Sequence, residues 1–386
     1  MSTKLKPGYK QTEVGVIPED WETCPLLSAV HVATGQVDPR REPYRSMILV
    51  APDHIESDTG RLLERRTASE QGAISGKYVF VPGDIVYSKI RPYLRKAIYA
   101  DFQGLCSADM YPLTPAKDVS AAFIFAVLLG HHFSTFAGNM SARSGIPKIN
   151  REELRQYVLA LPHLPEQCAI AGALGDVDAL LNELKKLIAK KRDLKQAAMQ
   201  QLLTGQTRLS GFSGEWETKS VGDVAPLQRG FDLPTPQIKQ GCHPVVYSNG
   251  VLNYHAKFMV KGPGVVTGRS GTIGNVHFIE QDFWPHNTTL WVTSFRGNTP
   301  KFIFYLLTTI NLERFSTGSG VPTLNRNDVH AFEVRIPATF EEQTAIASVL
   351  SDMDTEIAAL EQRLAKTRAL KQGMMQELLT GKTRLI

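Results

Sequence analysis

Cysteine is scarce and scattered. The four residues, Cys24, Cys106, Cys168 and Cys242, form no CxxC pair and have no histidine cluster beside them. Such spacing argues against a zinc ribbon or a disulfide framework and reads as reduced, partly buried packing residues in a cytoplasmic protein. No apolar run reaches the ~20 residues that cross a bilayer, and the longest, Ala121 to Leu129, reads as a buried helix, as does its counterpart from Phe302. No signal-peptide pattern opens the chain. Catalytic motifs are missing too. There is no NPPY- or DPPY-like tetrapeptide for amino methylation, and GAISGK at Gly72 lacks phosphate-loop spacing. Pro52-Asp53 would need Glu183 and Lys185, far along the chain in a helical stretch, to complete a nuclease pattern. The expectation is a chain without catalysis, cofactor or metal of its own. Excess charge is also small: 43 Lys and Arg against 38 Asp and Glu, a net +5 that fits a nucleic-acid partner without requiring one.

What is present is a repeat. The stretch from Glu166 to Leu209 returns at Glu342 to Leu385, identical at about half of some 44 positions aligned without a gap. Each copy reads as a long helix. Apolar residues alternate at spacings of four and three, through Ile170, Leu174, Val177, Leu181, Leu184 and Ile188, and through Ile346, Leu350, Met353, Ile357, Leu360 and Leu364. That is a coiled-coil seam. Beyond it the pattern would fall on Lys191 and Thr367, and the apolar line resumes one step over at Leu194 and Leu202 and at Leu370, Met374 and Leu378, which predicts a stutter. Gly205 and Gly381 are placed to end the helices in the left-handed conformation. Each seam needs a partner, and the other copy is the obvious one, which predicts an intramolecular antiparallel pair acting as a spacer about 58 Å long. Asp176 with Asp178, and Asp352 with Asp354, lie two apart on a helix and point to different sides, giving solvated or partner-contacting faces rather than an acid/base or metal site. The basic run Lys185 to Lys195 reads equally as a solvated face or as a track beside DNA.

The globular parts repeat the same plan with different residues. IPEDWET at Ile17 is echoed by FSGEWET at Phe212, and Trp21 and Trp216 are expected to anchor each unit to the helices. Residues before Val16 read as loose. KYVFVPGDIVYSKIRPYLRKAIYA from Lys77 and GPGVVTGRSGTIGNVHFI from Gly262 are β-rich runs broken by turns. The turns SGIPKINRE and SGVPTLNRN align Ser144 with Ser319, Gly145 with Gly320, Pro147 with Pro322, Asn150 with Asn325 and Arg151 with Arg326. The expected class is duplicated mixed α/β: a first globular domain at 1–161, a spacer helix at 162–209, a second globular domain at 210–336 and a second helix at 337–386. The chain end TRLI sits where the first copy runs on into the second unit, which predicts a pseudo-twofold, nearly circular arrangement.

At these residues the chain resembles the specificity subunit of type I restriction-modification systems, over essentially its full length. No single motif is specific, but the ordered set occurring twice is. The resemblance implies two target-recognition domains, each reading one half of a split double-stranded DNA site, and a helical pair that sets the gap and docks two modification subunits, which bring S-adenosylmethionine and the methyl transfer. It leaves open whether a restriction subunit joins, and it implies no membrane. The other class, a coiled-coil scaffold binding protein or other ligands, would show neither steep salt dependence nor a split target.

Candidate DNA contacts in the first unit are Ser88, Lys89, Arg91, Tyr93, Arg95 and Lys96, four cations and an aromatic within nine residues, joined by Arg143 and Lys148 from the following turn. Arg reads guanine bidentately and Lys holds phosphate; the same residues also suit a solvated edge strand. Arg40, Arg41, Tyr44 and Arg45 form a weaker second patch. In the second unit the candidates are Arg269, Ser270, Gly271 and Thr272, aligned with Ser88 to Arg91, together with His286, Asn287, Thr288 and Thr323; glycine turns of a hairpin are the alternative reading. Asn150 and Asn325 read as helix N-caps. Candidate partner contacts are Leu194, Met199, Leu202 and Leu203 on the first helix and Leu370, Met375, Leu378 and Leu379 on the second.

Overall fold

The computed structural model describes residues 5–141, 146–317 and 322–385. Two compact units emerge, one from residues 1–185 with 363–386, the other from residues 186–362. Both contain a globular part, the first half of one long helix and the second half of the other.

In the first unit, strands β1 (Val30–Val32), β2 (Ile85–Ser88), β3 (Ala97–Tyr99) and β4 (Met110–Pro115) form an antiparallel sheet in the order β1-β4-β2-β3. All four residues of β2 are buried, as a strand covered on both faces requires. Helix α1 (Ala121–Leu129) packs behind it, started by Ser120, whose hydroxyl accepts from the Phe123 amide. Helix α2 (His131–Met140) follows, and Phe133 meets Tyr87 and Tyr157 edge-on at ring centroids of 5.4 and 4.9 Å. Helix α3 (Arg151–Arg155) opens on a capping box: Asn150 accepts from the Glu153 amide while Glu153 accepts from that of Asn150.

The second unit's two larger sheets are built from β5 (Leu227–Arg229), β6 (His243–Tyr247), β7 (Gly250–His255), β8 (Gly264–Gly268), β9 (Val276–Ile279), β10 (Trp284–Pro285) and β11 (Thr289–Val292). Four of them form a sheet ordered β5-β11-β8-β9, the same topology as in the first unit, and β7-β6-β10 form a smaller one. Helix α5 (Pro300–Thr309) matches α1, and α6 (Arg326–His330), capped by Asn325, matches α3. Both asparagines are caps, as the sequence predicts.

The long helices are α4 (Leu164–Leu202) and α7 (Phe340–Leu378), 39 residues each. Within the first unit Asp178 of α4 pairs with Lys371 of α7, and Ile170 and Leu174 share a core with Leu378, so rising numbers on one helix meet falling numbers on the other. Within the second unit Lys195 pairs with Asp354, and Met199 and Leu202 share a core with Ile346 and Leu350. Both segments are antiparallel neighbours. The seam does not stutter, however. Thr367 is 8% exposed with its hydroxyl turned onto the Arg363 carbonyl, whereas Leu194 and Leu370 are 46% and 58% exposed. The heptad continues through Lys191, Lys195 and Lys371, polar positions held by ion pairs. The basic run is thereby largely consumed: Lys185 reaches Glu56, Lys191 reaches Glu356 and Arg192 reaches Glu361.

A clasp ties each helix start to its unit. Trp21 is fully buried, and its Nε1–H donates to Glu166 at 2.9 Å. Arg384 forks onto Glu166 at 2.7 Å and onto Asp20 at 2.7 Å. Burial alone would raise the Glu166 carboxyl pKa, but the bonds from Arg384 and Trp21 outweigh it and hold the group below the usual range. The hydrogen bond from Arg384 does the same for Asp20. In the second unit Trp216, Glu342 and Arg208 repeat the arrangement, with the Arg–Glu pair at 2.5 Å. Both tryptophans are the anchors the sequence predicts. Of the stretch before Val16 that the sequence reads as loose, residues 9–12 are held in place: Tyr9–Thr12 pairs with Gly15–Pro18, and the Tyr9 hydroxyl donates to the Gly381 carbonyl at 2.9 Å.

Candidate nucleic-acid interface

In both units the strand at the sheet centre runs out into a loop that is stitched to the turn preceding the short capped helix. In the first, Ile90 bridges to Lys148; the Ile149 amide donates to the Lys89 carbonyl at 2.9 Å, and the Arg91 amide to Pro147 at 2.7 Å. In the second, Ser270 bridges to Thr323, and the Leu324 amide donates to the Arg269 carbonyl at 2.7 Å. These bonds place Lys89 with Arg269, Ile90 with Ser270 and Arg91 with Gly271. The sequence alignment, which set Arg269 against Ser88, is therefore out of register by one residue. The correct register explains a backbone feature: Arg91 sits at φ +47° and Gly271 at φ +82°. The frame requires a left-handed residue here. Glycine meets that requirement without a Cβ clash; an arginine does so at a cost of about 1–2 kcal/mol.

The first-unit candidates separate into two groups. Arg91, Tyr93 and Lys148 are exposed, and neither cation has an acidic partner among the described residues. Lys89 is half-buried with its ammonium 5.2 Å from the Tyr111 ring centre, and Arg151 lies 5.6 Å from the same ring. Ser88, by contrast, is 2% exposed and its hydroxyl donates to the Ile90 carbonyl, so it shapes the loop rather than facing a ligand. Arg95 is held by Ser134 and Asp58, and Lys96 donates to the Pro52 carbonyl at 2.7 Å. Like Arg91, Arg95 is left-handed, at φ +45°. Arg143 lies outside the described residues, as do Ser144, Gly145, Ser319 and Gly320. In the weaker patch Arg40 and Arg41 are spent on Asp38.

In the second unit Arg269 has no side-chain partner among the described residues. Thr272 is exposed and Ser270 half-buried. The Thr288 carbonyl accepts from the Arg269 and Ser270 amides, and the Thr288 hydroxyl meets His286 Nδ1 at 3.1 Å. Burial lowers the His286 pKa, opposed by Asp232, so the ring is neutral at pH 7. The Asn287 amide is engaged by Asp232. The sequence missed Tyr247, whose ring lies against His286 at 4.3 Å, and Ser248, which packs on Gly268 and Gly271. Neither carries a motif; the contact exists only once β6 pairs in parallel with β10.

Of the expected partner contacts, Met199, Leu202, Leu203 and Leu378 are buried in the unit cores, with Met375 and Leu379 packed against one of them. Only Leu194 and Leu370 stand exposed. Yet the last turns of both helices border grooves built from equivalent residues. One of about 580 Å³ is lined by Gln372, Met375, Gln376 and Leu379, and one of about 970 Å³ by Gln196, Met199, Gln200 and Leu203. Among the described residues no group of His, Cys, Asp and Glu could hold a metal, and no single helix is long and apolar enough to cross a membrane. All four cysteines are free; Cys168 and Cys242 are exposed rather than packed.

Residues 18–196 and 213–367 match the type I restriction modification DNA specificity domain. The chain is 33% identical over 216 residues to the EcoDI type I restriction enzyme specificity subunit of Escherichia coli, covering 55% of this chain and 47% of that protein, so it spans about half that relative's length. It is 23% identical to the putative MjaX specificity subunit of Methanocaldococcus jannaschii over 98% of this chain and 97% of that one. Among solved structures, the type I restriction-modification S subunit from M. genitalium superposes with a TM-score of 0.63 at 14% identity, over 97% of this chain and 98% of that one. A chain solved in a study of type I complex assembly gives 0.61 at 17% over 95% and 99%. With the specificity domain matched twice across most of its length, the chain belongs to the type I restriction-modification DNA specificity family.

Proposed function

We propose that each unit reads one half of an asymmetric, bipartite double-stranded DNA site, with the stitched loops as reading heads. The observation that carries this is the pair Arg91 and Gly271. One hydrogen-bonded frame holds both in the left-handed region, but it displays cations with no acidic partner among the described residues in the first unit, and Arg269 beside neutral donors and acceptors in the second. A shared frame with different displayed chemistry is what two readers of different sequences need. In this reading Arg91, Lys89, Tyr93 and Lys148 serve the first half-site, and Arg269, Ser270, Thr272 and Thr323 the second. Ser88, Arg95, Lys96, Gly271, His286, Asn287 and Thr288 shape the loops.

The long helices set the unread gap. Each is one uninterrupted element of 39 residues, and the ion pairs Asp178–Lys371 and Lys195–Asp354 occupy equivalent places on the two copies. Two modification subunits dock beside the equivalent grooves along the final turns, one per unit, bringing S-adenosylmethionine and the methyl transfer into a cytoplasmic complex. The deciding experiment is co-expression with the modification subunit and single-molecule mapping of methylated adenines. A split motif with a fixed gap is expected, and exchanging residues 211–336 should alter one half alone. A stable complex that leaves host DNA unmethylated sinks the reading.

A further inference from the structure

The second unit carries an element with no part in the stitched loop, the hairpin of β6 and β7. Its register slips between Val245 and Val246, a β-bulge of the kind that re-aims side chains. Beside that bulge the Asn253 amide donates to the Tyr247 hydroxyl at 3.2 Å. Tyr247 lies against the neutral His286 ring, and His286 meets Thr288, whose carbonyl holds the Arg269 loop. A continuous row thus runs from Asn253 to Arg269. At the hairpin turn a Cβ on Gly268 would come within 3.2 Å of Ser248, so loop and hairpin are packed together.

We propose that Asn253, positioned by Tyr247, is a second base-reading residue of this unit and recognises the major-groove edge of an adenine. This rests on the DNA-reading function proposed above. An amide has two N–H donors and one carbonyl acceptor. One donor is spent on Tyr247; the carbonyl and the remaining N–H have no partner among the described residues. That residual pair is what adenine N6 and N7 require together. Tyr247 accepts from Asn253, so its own proton stays available for a neighbouring base or phosphate. The surroundings agree. β7 is the edge of its sheet and leaves Leu252 and Tyr254 58% and 53% exposed, with no charged residue on the strand. An unprotected edge of this kind is one that soluble proteins cover or charge. Contact with DNA covers it.

The test is methylation mapping in host DNA with the complete complex, comparing the parent chain with Asn253→Ala, Asn253→Asp and Tyr247→Phe. Asn253 is exposed, and Tyr247→Phe keeps the ring, so all three should fold. The expected result is that both Asn253 variants weaken the preference for one base, in the half-site read by the second unit, by about 5- to 150-fold. Asn253→Asp shifts that position toward cytosine, whose N4 donates, and the other half-site and the gap stay as they were. Tyr247→Phe weakens the same position less. An unchanged motif in all three variants overturns the proposal. So does a uniform loss of methylation at every site, because that marks a role in folding. If the parent chain itself yields no split motif, the DNA-reading function has failed rather than the assignment of Asn253.

Discussion

Replacing Arg91 by Gly separates the cost of its conformation from the use of its side chain. Arg91 sits at φ +47°, ψ +57°, where a residue with a Cβ is destabilised by about 1–2 kcal/mol. Its guanidinium is exposed and bonds nothing among the described residues, so removing it breaks no contact of the fold. Glycine relieves the strain but raises the entropy of the unfolded chain by about 0.4–1 kcal/mol. Arg91→Ala discards the same guanidinium and keeps the strain. Arg91→Gly should therefore be more stable than Arg91→Ala by about 0.5–1 kcal/mol, a rise of about 1–4 °C in the melting of a unit this size. Both should lose the same DNA contact: about 1–3 kcal/mol, or 5- to 150-fold in Kd, if it reaches a base. If it holds phosphate, the slope of log K against log salt should fall by about 0.9. The assays are scanning calorimetry of the complex and fluorescence anisotropy on a duplex carrying the mapped motif, at two salt concentrations. Arg95→Gly is the control: it relieves similar strain but breaks the contacts with Ser134 and Asp58, so it should gain no stability and leave the salt slope unchanged. If the two Arg91 variants melt together, the frame does not impose the left-handed conformation. If both bind like the parent, the loop is not a reading head.

Arg384→Gln leaves the buried Glu166 carboxylate with Trp21 and the Leu385 backbone but without its counter-charge, and should cost about 2–4 kcal/mol, discounted for the partial exposure of Arg384, as measured by urea unfolding. The Glu166 and Asp20 carboxyls are held below their usual range, so their contribution is full above about pH 4.5 and is lost as pH falls through the folded values; the variant should flatten that acid slope. In the second unit burial lowers the pKa of both His286 and His330, so the unfolded chain takes up protons first and stability should decline as pH drops below about 6.5. His286→Gln should reduce that decline in a stability-versus-pH series. Inserting four residues at matched points of α4 and α7 adds about 6 Å, which should widen the mapped gap by about one to two base pairs at 3.4 Å each. A changed half-site, or an unchanged gap, would refute the spacer role.

Much of the frame was legible because it is written twice. The helices, their tryptophan anchors and the asparagine caps each rest on local rules, namely periodicity, a buried indole with a polar tip, and a short side chain ahead of Glu or Asp. The failures came where local pattern met tertiary contact. Leu194 and Leu370 look like seam residues but stand exposed, because Lys191, Lys195 and Lys371 reach acids on the facing helix and keep the heptad intact with charge. Among the DNA candidates, composition could not tell Arg91 from Arg95, four residues apart. One has no acidic partner among the described residues; the other is clasped by a residue 39 positions away. Tyr247 and Asn253 were invisible, since their relation depends on a bulge and on a strand 30 residues downstream.

The division between what repeats and what varies follows from energetics. Buried Trp21 and Glu166 depend on a half-buried Arg384, and buried Glu342 on half-buried Trp216 and Arg208; losing either arginine leaves a buried carboxylate without its counter-charge. Such a group tolerates little drift, and both copies retain it. The stitched loops are under the opposite condition. Their backbone is fixed by bonds between main-chain atoms, Ile149 to Lys89 and Leu324 to Arg269, which any side chain permits. What each loop displays is therefore free to change without disturbing the frame. The left-handed position is the exception, since it taxes every residue but glycine. An arginine retained there in one unit, opposite a glycine in the other, is held against the conformational preference of its own backbone. Folding does not account for it, because the glycine folds the same frame more cheaply; the DNA contact proposed above supplies a reason to keep it.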